Sequence, residues 1–428
     1  MSGARRRIAL VAACPFPSPQ GSQVFVRQMA ERLAAAGHDV HLLTYGQGAQ
    51  QAGRGYRHHR IARLPGDDAT RSGPSLVKPL LDAMLARRLV ALCRAHDVEI
   101  VHAHNYEAAL AGLFARVFTG VPVVYHSHNL MGDELETYFE KPAIRRLAAT
   151  MGRFLDGSVP RRADRVIALC DWSAERLCSA GCTSRALRVI PPAVEDQGPL
   201  VAEAGDRSAL GLGVDDFVVG YCGNLDRYQN IEVLLRVVAR MPTTETSLGP
   251  VRLLLASHAI PDDFRRVVAA AGLGERLRLV ELCGHAQARR IVAVSDVVAL
   301  PRRLGSGYPV KLLNSMSAAK PVITGGCGAK VLQDGIDGVV VADGDERAWV
   351  QGLDRCRREP RWLRDLGDAA RRTYLGSLTW EKVLPQIEDV YEGLRESSNA
   401  SAAGGPSRRL ENREIKAGEA AGWRGDEA

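Results

Sequence analysis

The chain has 428 residues, enough for two domains that each bury a core. Hydrophobic residues make up 46% and charged residues 25%, the balance of a soluble globular protein, and no stretch offers the about 18 uninterrupted apolar residues of a membrane span. A formal net charge of +7 suits an anionic ligand or an acidic membrane surface, but the basic residues are dispersed and aromatic residues are only 5%, which argues against nucleic acid.

The start, MSGARRRIALVAACPFP, carries the arginines and apolar run of a signal peptide. The run is short and is broken at Pro15 and Pro17, so it reads better as a first β-strand, Ile8-Ala13. Gln23-Ala36 has Val26, Met29 and Leu33 on one helical face, Gly37 ends it, and Val40-Thr44 supplies the next strand. Strands at Ile100-His104, Val121-His126 and Val166-Leu169 follow, each with a helical stretch behind it. From Pro191-Pro192 to Asp206 no period is sustained, and the domain division falls there. A second alternation has strands at Val218-Tyr221, Arg252-Ala256, Leu277-Val280, Val297-Leu300, Val322-Thr324 and Val339-Val341. Two such halves predict an α/β protein of two Rossmann-like, doubly wound parallel-sheet domains facing a cleft. The expected boundaries are 1–193, a linker at 194–213, a second domain at 214–378, a last amphipathic helix at 379–396 and a disordered tail at 397–428.

Nine scattered cysteines, with no Cys-x2-Cys pair, read as reduced thiols of a cytoplasmic protein. Two histidine pairs, His102-x-His104 and His126-x-His128, each place two imidazoles on one face at the C-terminal end of a strand, where open α/β sheets bind ligands. They read as part of a ligand site or as a four-imidazole metal site, and for His102 a purely structural role stands beside both. Asp133 and Glu134 lie nearby without a familiar ligand spacing, and Asp343-Gly344-Asp345 has the composition of a turn more than of a metal–nucleotide motif.

The most informative segment is LGSGYPVKLLNSMSAAKPVI, residues 304–323. Gly305-Ser306-Gly307 opens a short helix and Pro321 ends it before a strand, a unit whose free N–H groups and dipole suit an anion. Leu312, Leu313 and Met316 form one face of that helix, while Lys311 and Asn314 are neighbours on the other. Gly21-Ser22 open the first helix in a comparable way, with an ordinary N-cap by Ser22 as the plainer reading. Arg302, Arg303 and Lys330 flank the glycine-rich loops, either toward a ligand or as solvated charge.

Residues 304–323, CPFPSPQGSQVFVRQMAERLAAAGHDVHLLTY, VPVVYHSHN and YCGNLDRYQNIEVLL together resemble the retaining GT-B glycosyltransferases of the family-4, group 1 type, over roughly residues 7–395. The resemblance implies transfer of a hexose-type sugar from a UDP- or GDP-linked donor to an acceptor that the sequence does not name. It implies no cofactor and no metal, a cytoplasmic protein that can sit at the inner face of the membrane, and a last helix that crosses back onto the first domain. His128 matches the position facing acceptor and reacting sugar, with His104, His126 and Asn129 on the acceptor side. Gly21, Ser22, Gly223, Asn224, Gln229, Ser306, Gly307, Lys311, Asn314 and Lys330 fall on the donor side. The chain departs from the pattern: Ser306 and Asn314 stand where the family has two glutamates, and Asn224 and Gln229 where it has an Arg and a Lys. Lys311, with Lys330 second, is the expected replacement cation. The alternatives are a catalytically inactive homologue acting as a binding or partner protein, and a His-dependent metal hydrolase.

Overall fold

The computed structural model describes residues 4–17, 21–48, 54–64, 75, 77–242, 248–303 and 308–403, with side chains up to residue 394. The first sheet contains β1 (Arg7–Ala12), β2 (Asp39–Thr44), β3 (Arg57–Arg60), β4 (Ile100–His104), β5 (Val123–Ser127), β6 (Arg165–Ala168) and β7 (Leu187–Val189), in the order β3-β2-β1-β4-β5-β6-β7. Its pairs are all parallel. The crossovers carry α1 (Gly21–Ala35), α2 (Lys78–Ala95), α3 (Asn105–Thr119), the single turn α4 (Met131–Glu134), α5 (Pro142–Ser158) and α6 (Asp171–Ser179). The central strands are buried on both faces, which is why they read as near-continuous apolar runs.

The short helix α7 (Asp206–Ala209) precedes the second sheet. That sheet holds β8 (Phe217–Cys222), β9 (Val251–Ser257), β10 (Leu277–Glu281), β11 (Val297–Leu300), β12 (Val322–Thr324) and β13 (Val339–Val340), ordered β10-β9-β8-β11-β12-β13 and again parallel. Around it lie α8 (Glu232–Arg240), α9 (Asp262–Ala270), α10 (His285–Val294), α11 (Val310–Ser317), α12 (Glu346–Arg358) and α13 (Pro360–Ser377). In both sheets the strand order reverses direction beside the first strand, between β1 and β4 and between β8 and β11. A ligand crevice opens at such a switch point, outside the carboxyl ends of the strands.

The connection between the sheets is held rather than loose. Arg371 of α13 pairs with Asp196 at 2.9 Å, and the Tyr374 hydroxyl donates to the Val194 carbonyl at 3.0 Å. The last helix, α14 (Trp380–Ala403), buries Trp380, Val383, Ile387, Val390, Tyr391 and Leu394 against the first domain, with Ile8, Leu10, Phe25 and Met29. Its backbone continues past Glu396 to Ala403, into the segment expected as a disordered tail; residues 404–428 lie outside the described residues. The edge strands β3 and β7 are absent from the sequence reading because RHHR and LRV are too short and too charged to show a strand period.

Candidate functional site

The second-domain half of the crevice forms where β8 ends and α11 begins. Gly223 follows β8 with a φ of +152°, and a side chain there would meet Lys311, since a Cβ would lie 2.0 Å from the lysine Nζ and 2.3 Å from its Cε. The absence of a side chain at 223 is what lets Lys311 enter the loop. Its ammonium donates to the Tyr221 hydroxyl at 2.9 Å and to Asn224 Oδ1 at 2.8 Å, and lies 4.9 Å from the Tyr221 ring centroid. Gln229 Nε2 also donates to Asn224 Oδ1, at 2.7 Å, while Asn224 Nδ2 donates to the Tyr228 hydroxyl and to Asp226. Gln229 is buried and its Oε1 has no hydrogen-bond partner.

Lys311 therefore does not lie along an open helix face as its spacing suggested; it turns back toward Asn224, which Gln229 also contacts. Burial, then the neighbouring Arg302 charge, pushes its ammonium down to about 7. Asn314, three residues on, is exposed. The helix begins at Val310 behind Pro309, later than the expected start near Gly307, and Ser306 and Gly307 lie outside the described residues. It ends where Ala319 takes a φ of +56° and Pro321 removes the next donor. Arg302 stacks its guanidinium over Tyr228 at 4.9 Å, with a buried Nε that lacks a partner.

In the first domain the register sets His104 opposite His126, and the histidines form one buried group. His102 Nε2 meets His126 Nδ1 at 3.0 Å, and His104 Nδ1 meets His128 Nε2 at 2.9 Å. His102 Nδ1 reaches the Tyr391 hydroxyl of α14 at 2.6 Å. Phe25 sets its edge or face against His104, His126 and His128, and is stacked by Trp380. Burial lowers His102 to about 3 and His128 to about 4, and drives His104 and His126 well down, so all four are neutral at pH 7.

His104 and His126, expected on the acceptor side, are both buried, with Nε2 atoms that lack a hydrogen-bond partner. His128 is buried too, and its bond to His104 leaves only Nδ1 for a substrate. Asn129 is half-buried, its carbonyl accepting from Ser127. Ser22 sits within the first turn of α1 instead of capping it, and Gly21 is exposed, with Val310 of the other domain 3.5 Å from where its Cβ would be. Asp345 caps α12 through Ala348 N at 2.9 Å and Asp343 accepts from Gly326 N at 3.1 Å, the turn chemistry of that tripeptide.

Two contacts made by ionisable side chains have no motif in the sequence. Lys330 reaches across the domains to lie 4.0 Å from the Trp172 ring centroid, where burial lowers its ammonium. Glu107, in the first turn of α3, is pushed up to about 7 by burial, with Lys78 Nζ 3.9 Å away; Tyr138 donates to neighbouring Glu134 at 2.8 Å. Only contact between elements distant in sequence reveals either. Farther out, Arg227 and Glu140 pair across the domains at 2.8 Å, both well exposed.

Two parallel sheets facing each other across their carboxyl ends, with the last helix returned to the first, make this a GT-B glycosyltransferase fold. The chain belongs to the family-4, group 1 glycosyltransferases: the model for Glycosyltransferase Family 4 matches residues 19–197 and that for Glycosyl transferases group 1 matches residues 216–358. It is similar to D-inositol 3-phosphate glycosyltransferase of Thermomonospora curvata, 25% identical over 438 residues that cover 93% of this chain and 98% of that one. Among solved structures it is similar in fold to sucrose-phosphate synthase from Thermosynechococcus elongatus, with TM-score 0.79, 21% identity and coverage of 92% and 100%. It is also similar to Anabaena HepE in complex with UDP and glucose, with TM-score 0.70, 18% identity and coverage of 91% and 100%. No helix among the described residues is long and apolar enough to cross a membrane.

Proposed function

We propose that this glycosyltransferase moves a hexose from a nucleoside-diphosphate donor to an acceptor hydroxyl with retention of configuration, and that it does so without a metal. The observation that carries the reading is Lys311, whose ammonium is delivered into the loop Gly223–Gln229 from α11. A departing diphosphate needs its growing negative charge balanced, which is an electrostatic task for preorganised donors. One lysine placed beside Asn224 and Gln229 restores a cation to a loop that has lost its own pair. Its depressed pKa makes it responsive: an arriving diphosphate favours the protonated form and converts a half-charged group into a full counter-ion.

His128 supports the acceptor half of the reaction through Nδ1, its ring oriented by the bond to His104. Nothing among the described residues offers a carboxylate nucleophile beside it, so the reading involves no covalent glycosyl intermediate. The HepE complex with UDP and glucose supports a UDP-linked donor as the first to test. The test is calorimetric titration with UDP, GDP and their sugar conjugates in EDTA, followed by NMR of the anomeric proton of the product. Binding of one nucleotide with slow donor hydrolysis or transfer and a retained anomer supports the reading. A chain that binds neither nucleotide overturns the reading and favours the alternative of an inactive homologue.

A further inference from the structure

We infer that His41, His59 and His96 form a site for a borderline divalent cation, with zinc the leading occupant, at the outer edge of the first sheet. In the pairing of β2 with β3, Leu43 lies opposite His59 and His41 opposite Arg57, so the two histidines are diagonal neighbours on one sheet face. His96 follows the last residue of α2 and closes over them. The ring centroids are 4.2 Å apart for His41 and His96, 5.1 Å for His41 and His59, and 5.5 Å for His59 and His96. One ligating nitrogen from each falls within 4.8 Å of the others.

His41 Nδ1 and His59 Nε2 stand 3.0 Å apart, close to the edge of about 3.3 Å that Zn–N bonds of about 2.0–2.1 Å give a tetrahedron. A shared proton satisfies that pair but leaves His41 Nε2, on a side chain with no exposure, without a hydrogen-bond partner. It lies 3.4 Å from Asp39 Oδ1, a carboxylate that two contacts of 2.9 Å tie to Arg57. Asp39 thus offsets the nearest cation and stands on the Nε2 side of His41, the place of a hydrogen-bond partner that orients an imidazole ligating through Nδ1. His59 and His96 are half-buried, which leaves an entry path that the enclosed group of His102, His104 and His126 lacks. Three imidazoles with no thiolate select zinc, nickel or copper over magnesium and calcium. The consequence is structural: the ion fastens the four-residue edge strand β3 to β2 and to the end of α2, and none of its ligands belongs to the loops lining the crevice.

The test uses full-length protein stripped with EDTA and titrated with zinc sulfate, read by calorimetry and thermal unfolding. The expected result is one equivalent bound, a Tm raised by about 3 °C or more at saturation, and no response to magnesium. His59→Asn/His96→Asn keeps the buried histidine group intact and is expected to weaken zinc at least about a hundredfold, with UDP binding unchanged. Should the double variant fail to fold, His96→Gln alone serves, with an expected loss of about tenfold or more. Wild type that binds no zinc at about 0.1 mM, or variants that bind it as wild type does, overturns the assignment.

Discussion

Replacing Lys311 by Met separates a phosphate-binding lysine from one that only ties a loop. The local cost is small. Without the ammonium, Asn224 Oδ1 still accepts from Gln229 Nε2 at 2.7 Å, and the Tyr221 hydroxyl still donates to the Asn224 carbonyl. No buried acceptor is stranded, a near-isosteric apolar chain fills the same space, and stability should change by less than about 1.5 kcal/mol. The cost to ligand binding is larger, because a charge-assisted hydrogen bond to phosphate contributes about 1.5–3 kcal/mol. Calorimetry with UDP and GDP at pH 6, where Lys311 is protonated, should show affinity falling about ten- to hundredfold. The pH series sharpens the test. With a free-protein pKa of about 7, wild-type affinity should fall toward tenfold per pH unit above 7, and Lys311→Met should lose that slope. Equal affinities at pH 6 with parallel pH profiles would refute the reasoning, since the diphosphate would then be neutralised elsewhere.

Gly223→Ala should reproduce the Lys311→Met defect by displacing the lysine, and should cost a further 1–3 kcal/mol or about that in stability from the backbone conformation, seen as a lower denaturation midpoint. His128→Ala should reduce turnover at least about tenfold, or 1.4 kcal/mol of transition-state stabilisation, with nucleotide affinity nearly intact; unchanged kcat removes it from the reaction. Glu107, raised to about 7 in the fold from 4.5, contributes stability that is complete below pH 4.5 and lost as pH rises through 7. Glu107→Gln should therefore flatten the decline in Tm between pH 5 and 8, or about that window, and a variant with an undiminished slope would show that other groups set it.

Much of the architecture is readable from the chain because parallel strands buried on both faces must be apolar throughout and helices between them must carry a 3.6-residue stripe. Ile8-Ala13, Ile100-His104, Val297-Leu300 and Val322-Thr324 all fall on strands within a residue, and the alternation alone implies two Rossmann-like halves. The switch points are legible for the same reason, since the order of strands and crossovers sets which strand ends and helix starts meet there whatever the side chains do. Side-chain destinations are not. Nothing local to α11 says that Lys311 folds back past Gly223 to Asn224, because Gly223 lies far from it in sequence and the path exists only when β8 and α11 are packed together. Tertiary structure also decided what surrounds His104 and His126: Phe25 packs against both, Trp380 stacks on Phe25 and Tyr391 bonds to neighbouring His102, and two of those three come from a helix at the other end of the chain. Periodicity fixes which face a residue occupies, whereas what covers that face depends on contacts between segments hundreds of residues apart.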